Sequence, residues 1–278
     1  FTKGFESNTM PTAKNKSTTG TGAMVKSGAK SKAKTKSTKV SPQKSTALRG
    51  RGRPAAQERN PLDRNIIFRC ATHMAKTIPL QDLSIVKVAK ELGVTPALIH
   101  YYLDGRDELT SGVMNAFYRE VLSQWPKPSG SWRTDLEAAC RRLYDLHVTF
   151  AGVTAYVVGY SRFHVLKDTR NADQDYGLLM LEHFVGAVRA IGFDAERTSS
   201  YSHLLMQFIA ATAHTTVRSN WPGEHDIFLA KVLGALDANT YPNAHFIRES
   251  YVRFDAGFAF EQALTLFMDA LEYATRRP

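Results

Sequence analysis

The stretch Ser84–Leu109, SIVKVAKELGVTPALIHYYLDGRDEL, constrains the fold more than any other part of the chain, because it puts a helix stop and a helix start within three residues. Ile85, Val88, Ala89 and Leu92 recur on one face at helical spacing, behind Ser84 as an N-cap. Gly93 stands where a helix ends in the left-handed conformation. Thr95 then offers a second N-cap, and Pro96 takes the first helical position, where its missing N–H costs nothing. Leu98, Ile99, Tyr102 and Leu103 carry this next helix, Gly105 breaks it, and Asp107 and Glu108 suit the first turn of another. Both helices are too short to stand alone in water. They must pack on each other, and the small Ala89 lets them approach. An earlier helix is expected from Pro61 and Asp63, with Ile67, Cys70, Ala71, Met74 and Ile78 on its apolar face and Pro79 beyond its end. Helix, helix, a short glycine turn and helix is helix-turn-helix grammar.

Residues 64–110 resemble the DNA-binding domain of the TetR family of bacterial transcriptional regulators. The family pattern of Ala, then Gly-Val-Ser, Leu-Tyr-x-x-Phe and Ser-Lys-x-x-Leu is filled here by Ala89, Gly93-Val94-Thr95, Ile99 to Leu103 and Gly105 to Leu109. Three positions depart from it: His100 stands for the usual Tyr, Leu103 for Phe and Arg106 for Lys. The resemblance implies that Thr95, Pro96, Ala97, Leu98 and Tyr101 face the major groove of double-stranded DNA. It also implies that Ser84, His100 and Arg106 face phosphates, with His100 shorter in reach than the Tyr it replaces. The bland alternatives are internal packing for Leu98 and a solvated Arg106. The third helix has few hydrogen-bonding side chains, so base readout would lean on apolar contacts, which suit thymine methyl groups. An A/T-rich palindromic operator is the expectation.

The remainder also has helical periods and few strand signals, so the expected class is all-α. Residues 61–110 form the helix-turn-helix domain and 111–278 a helical regulatory and dimerisation domain. Helices are predicted at Arg106–Gln124, Trp132–Phe150, over Ala151–Leu166 in one or two pieces, at Tyr176–Ile191, from an Asp194 cap to Arg218, and at Phe258–Arg276. A less regular stretch, including Phe228–Leu236 and Tyr241-Pro242, is expected between the last two. In the last helix, Phe260, Leu264, Phe267 and Leu271 share a face that suits either a partner or the chain's own core. The resemblance implies a homodimer through about 194–218 and 258–276, one that reads two half-sites.

The resemblance further implies a small-molecule effector between the middle helices. The candidate lining is His147, Phe150, Tyr156, Tyr160, Phe163, His164, Met180, His183, Phe184 and Met206, a set that suits a mainly apolar ligand. The same residues suit an ordinary helical core; the three histidines are the sharper candidates, because a buried His needs a partner. Binding of the effector would shift the dimer away from its DNA-competent spacing and release the operator, giving repression.

Charge separates the first sixty residues from the rest. The chain has 36 Lys+Arg and 26 Asp+Glu; residues 1–60 hold 14 and two of these, leaving 22 against 24 in 61–278. Residues 1–60 contain only Phe1, Phe5, Val25, Val40 and Leu48 as large aliphatic or Phe residues, so this segment reads as a disordered Lys-rich tail attracted to polyanions. Within it, Arg51-Gly52-Arg53-Pro54 looks like an AT-hook core, with Arg51 and Arg53 entering a narrow minor groove. The alternative is a charged linker.

Several classes fall away. Two distant cysteines, Cys70 and Cys140, offer no CxxC site and fit a reducing compartment. There is no HExxH, GxSxG, phosphate loop or dinucleotide fingerprint, so no enzyme and no cofactor is expected. The nine His include no i, i+4 pair; Glu224-His225-Asp226 reads as a solvated loop, and no metal is expected. No apolar run of membrane length and no signal-peptide core is seen, so the expected location is the cytoplasm. The remaining rival is a broad DNA-coating protein driven by the basic tail.

Overall fold

The computed structural model describes residues 62–159 and 174–276, and every regular element among them is helical. Asp63 caps α1 (Arg64–Met74) by accepting from the Ile66 N–H at 2.7 Å. Ile78 lies beyond α1. Pro79 bars residue 78 from helical backbone, and the chain tightens through Lys76 N–H to the His73 carbonyl before a 3-10 turn at Leu80–Asp82. Next come α2 (Ile85–Leu92) and α3 (Pro96–Tyr102), each capped as expected, by Ser84 and by Thr95. Gly93 adopts φ +65°, a conformation that costs a residue with a Cβ. Leu103 already has extended backbone, so α3 ends one residue earlier than its apolar spacing suggests.

The larger half begins with α4 (Arg106–Ser123), followed by α5 (Trp132–Thr149), α6 (Ala151–Gly159) and α7 (Tyr176–Arg189). The further part of the helix expected over 151–166 lies outside the described residues. Then follow α8 (Ala195–Val217), α9 (Asp226–Gly234), α10 (Pro242–Tyr251) and α11 (Ala256–Thr275). The region between α8 and α11 is more regular than its sequence suggests. It holds two helices and a 3-10 turn at Pro222–His225, and none of them has a buried residue. With no core beneath it, this hairpin has no strict division between apolar and polar faces, and the helical period is blurred.

One hydrophobic core runs from Ile67 of α1 to Leu271 of α11. The central element is α4, whose Leu109, Val113, Met114, Phe117 and Val121 are all buried and which packs on α1, α5 and α7. A division at residue 110 therefore falls inside α4. On the far side, α5, α8 and α11 pack together. Phe260 stacks on Tyr144 at 3.9 Å and lies parallel to Phe208 at 5.6 Å. An exposed ionic network ties α5 to α11: Arg133 to Asp269 and Glu272 at 2.6 and 2.8 Å, and Arg141 to Glu261 at 2.9 Å. Such surface pairs add little energy singly, about 0–1 kcal/mol each. The apolar face Phe260, Leu264, Phe267 and Leu271 packs into this core. A different stripe of α11 faces outward: Phe258, Gln262, Leu266, Ala270 and Tyr273.

Candidate nucleic-acid interface and effector site

Helix α3 is held by one side of a single turn. Ile99 is fully buried and Tyr102 half-buried, while Thr95, Pro96, Ala97, Leu98, His100 and Tyr101 are all exposed. Tyr101 is 81% exposed and meets Tyr102 edge-on at 5.2 Å, so its ring stands clear of the body. The turn that presents α3 is closed by Val94 N–H donating to the Ala89 carbonyl at 2.9 Å. Arg64 locks the other end. It donates to the Tyr102 carbonyl, pairs with Glu108 of α4, and lies 5.5 Å over the Phe68 ring. A helix exposed along its length and fixed at both ends is what a groove about 12 Å wide admits.

The flanking polar groups fall on both sides of this helix. Ser84 accepts from the Lys87 N–H at 3.2 Å, which leaves its hydroxyl proton free to donate. Arg106 is exposed but spoken for in part, since its guanidinium donates to the Gln81 carbonyl in the turn before α2. Only its remaining N–H groups are available to a phosphate. Val86 and Lys87 extend the exposed surface along α2, and Lys87 Nζ donates to the Asp82 carbonyl. Sequence reasoning passed over them, although both lie off the buried face defined by Ile85, Val88 and Ala89. Arg51 and Arg53 lie outside the described residues.

The interior candidates divide. His147, Phe150, Tyr156, Met180 and Phe184 are buried, and Met206 is half-buried against the same core. His183 is not among the buried residues: it is exposed on α7, its ring tilted against Trp125 at 5.6 Å, because Phe184 and Val188 take the inward positions of that helix. Tyr160, Phe163 and His164 lie outside the described residues. Phe117 joins the buried set, with its ring 5.2 Å from His147 and 5.5 Å from Phe150. The period Leu109, Val113, Phe117, Val121 was the signal that could have found it.

His147 is the chemically informative member. Thr154 Oγ1 donates its single proton to the His147 carbonyl at 2.6 Å, so the 2.9 Å contact with His147 Nδ1 requires Nδ1 to be the donor. Nε2 is then a lone-pair acceptor. Burial pushes the pKa of this imidazole down to about 4, so it is neutral at pH 7. The unfolded chain binds this proton near pH 6.5 and the folded chain does not, so stability falls as pH drops from 6.5 toward 4. At pH 5 the cost is roughly 2 kcal/mol. We expect His147→Gln to flatten the pH dependence of urea unfolding between pH 7 and 5 by about that amount relative to wild type. By contrast, burial pushes the Cys140 thiol up to about 12, which makes it inert.

No described group of His, Cys, Asp and Glu is arranged to hold a metal, and no described helix is long and apolar enough to cross a membrane. Glu224 and His225 lie in the exposed 3-10 turn, and Asp226 opens α9.

No family model matches the chain. A curated relative is the HTH-type transcriptional regulator BetI of Brucella canis, 27% identical over 106 residues, which are 38% of this chain. The chain spans about half the length of that relative, 48%. Among solved structures, apo ActR from Streptomyces coelicolor superimposes with a TM-score of 0.65 at 22% identity, covering 77% of this chain and 97% of ActR. The fold is that of the TetR-family regulators. ActR, a TetR-family protein, has also been crystallised with (S)-DNPA and with actinorhodin. Those complexes match at a TM-score of 0.64 with 22% and 23% identity, covering 77% of this chain and 98% and 99% of theirs.

Within this TetR fold the two candidate regions meet at a second joint besides α4. Gly152 at the start of α6 donates its N–H to the Ala75 carbonyl at 3.0 Å, in the turn between α1 and α2. A Cβ there would sit 1.9 Å from the Ile78 carbonyl oxygen, so only glycine permits the approach. Lys76 of the same turn places its ammonium 5.4 Å over the Phe150 ring. Phe150 thus touches the helix-turn-helix side through Lys76 and the buried His147 neighbourhood through Phe117.

Proposed function

We propose that the chain is a dimeric, ligand-responsive transcriptional regulator that binds a palindromic operator in double-stranded DNA and acts as a repressor. The observation that carries this reading is α3, with Ile99 as its buried residue and Leu98 and Tyr101 outward. The reading assigns base contacts to Thr95, Pro96, Ala97, Leu98 and Tyr101, and phosphate contacts to Ser84, His100 and Arg106. With so apolar a reading face, an A/T-rich half-site fits best. The 14 basic residues of 1–60, Arg51 and Arg53 among them, supply the general attraction to DNA that the nearly neutral remainder lacks.

The effector is a mainly apolar small molecule with a hydrogen-bond donor. Its wall would be Phe150, Tyr156, Met180, Phe184 and Met206, and its donor would meet the Nε2 acceptor of His147. The ActR complexes with actinorhodin and (S)-DNPA support an organic effector in this fold. Release follows if the effector binds better to the arrangement in which the two reading helices are wrongly spaced; a tenfold loss of affinity requires about 1.4 kcal/mol of preference.

The test is fluorescence anisotropy at physiological salt, with the full chain and with a form lacking residues 1–60. The duplexes are the intergenic DNA beside its own gene and a scrambled control. The expected result is a preference of at least about a thousandfold for the native duplex that survives removal of the tail. Equal binding to both duplexes, lost without the tail, overturns the reading in favour of general DNA coating.

A further inference from the structure

The helices α9 and α10 have no buried residue, yet they hold large apolar side chains in the open. Ile227 is 84% exposed, Phe228 66% and Phe246 87%, with Val232, Ile247 and Tyr251 exposed beside them. Inward positions such as Leu229, Leu233 and Val252 are only half-buried, so the pair has neither a core of its own nor a full cover. Its base is nevertheless firmly built. Gly223 N–H donates to the Phe254 carbonyl at 3.0 Å, the Trp221 indole donates to Thr216 of α8 at 3.0 Å, and Trp221 and Phe254 pack together. The result is a well-rooted arm with an uncovered apolar surface. Monomeric soluble proteins rarely keep such a patch unless something covers it.

We propose that α9 and α10 form an arm that clasps a second copy of this chain; the proposal rests on the dimeric reading above and extends it. Continuity of surface identifies the occupant. A groove of about 420 Å³ at the root of the arm, lined by Ile247, Tyr251 and Phe254, runs directly onto Phe258. Phe258 is also the first residue of the outward stripe of α11, which continues through Leu266 and Tyr273. A copy seated on that stripe therefore meets the arm without a break. Size points the same way. A stable interface buries about 800 Å² per partner around an apolar centre. The outward faces of α8 and α11 offer few large apolar side chains for this: Leu204 from α8, and Phe258, Leu266 and Tyr273 from α11. The arm adds Ile227, Phe228 and Phe246 to these. The groove also holds Arg253, which forms no ion pair with a described residue, beside Asp255. Both signs in one patch suit a two-fold contact, in which the same surface meets itself.

The test is sedimentation velocity over a dilution series of the full chain, comparing wild type, the arm variant Phe228→Ser/Phe246→Ser and the stripe variant Leu266→Glu. Both arm residues are exposed, so far-UV circular dichroism should be unchanged. The expected result is a wild-type dimer and a rise of at least about tenfold in the dimer dissociation constant of the arm variant. Amide exchange in α10 of the unmodified chain should also slow when the concentration is raised through the dimerisation range. If Leu266→Glu yields monomers while the arm variant dimerises like wild type, the arm is overturned and the dimeric reading stands. If wild type is monomeric throughout, both fail. Exchange in α10 that ignores concentration, in a chain that does dimerise, also overturns the arm.

Discussion

Gly152→Ala should lower the melting temperature by about 4–8 °C, although alanine is the better helix former. Propensity alone favours alanine over glycine inside a helix by about 1 kcal/mol. Here the added methyl would lie 1.9 Å from the Ile78 carbonyl oxygen and 2.7 Å from that of Ala75. Both are backbone atoms and cannot rotate aside, so α6 must move off the turn. Overpacking of this kind costs about 1–3 kcal/mol. The displacement also strains the Gly152 N–H to Ala75 carbonyl bond, worth a further 0.5–1.5 kcal/mol or so. At the middle of these ranges the net loss is about 2 kcal/mol, and each kcal/mol is about 2–4 °C in a chain of this size. The control is Gly186→Ala in α7, where no heavy atom lies within 4 Å of the added Cβ. That change should be neutral or slightly stabilising. Calorimetry of the two variants decides between a steric and a propensity effect, and equal melting temperatures would rule out the tight joint.

The joint matters beyond stability because it offers coupling a second route. Helix α4 leads directly out of the helix-turn-helix, but its inner face is committed to the shared core along its length. The start of α6 touches the turn at 75–78, and that turn leads into Leu80–Asp82, whose Gln81 carbonyl receives Arg106. These contacts link the start of α6 both to the end of α1 and to Arg106 at the start of α4. Gly152→Ala should alter how strongly an effector changes DNA affinity, not merely how well the chain folds.

How much of this was legible in the sequence depends on what each signal encodes. Caps and glycine stops are local chemistry, so Asp63, Ser84, Gly93, Thr95 and Asp194 mark their boundaries within a residue or two. The outward set on α3 came from the resemblance rather than from local chemistry; its exposure goes with Ile99 being the buried residue of a seven-residue helix. Four features were not legible. The stripe Phe260, Leu264, Phe267 and Leu271 fits a partner and the chain's own core equally well in one dimension; Tyr144 and Phe208, distant in sequence, decide for the core. His183 follows a helical apolar run, but the phase of α7 was set by Met180, Phe184 and Val188. The joint at Gly152 is a long-range backbone approach, and no local pattern announces one. The arm was read as irregular because the inside–outside contrast of a globular surface helix is absent there.

The proposed role of α3 is open to a sharper test. Replacing both Leu98 and Tyr101 by alanine should leave the fold intact, because Leu98 is 39% and Tyr101 81% exposed, and surface changes of this kind stay within about 0.5 kcal/mol. The Thr95 cap, Pro96 and the Ile99 anchor all remain in place. Against the native duplex the loss should be large. An aromatic at the centre of an interface is worth about 2 kcal/mol or more, and the Leu98 contact adds to it, so operator affinity should fall between roughly thirtyfold and a thousandfold. Against random DNA little should change, since general affinity comes from phosphate neutralisation and neither side chain carries charge. The informative quantity is the ratio of the two affinities, measured at one salt concentration. A collapsed ratio at constant random-DNA affinity assigns sequence reading to this face. Equal losses on both duplexes would instead mean that the pair holds the backbone, and no loss on either would move the reading surface off α3 altogether.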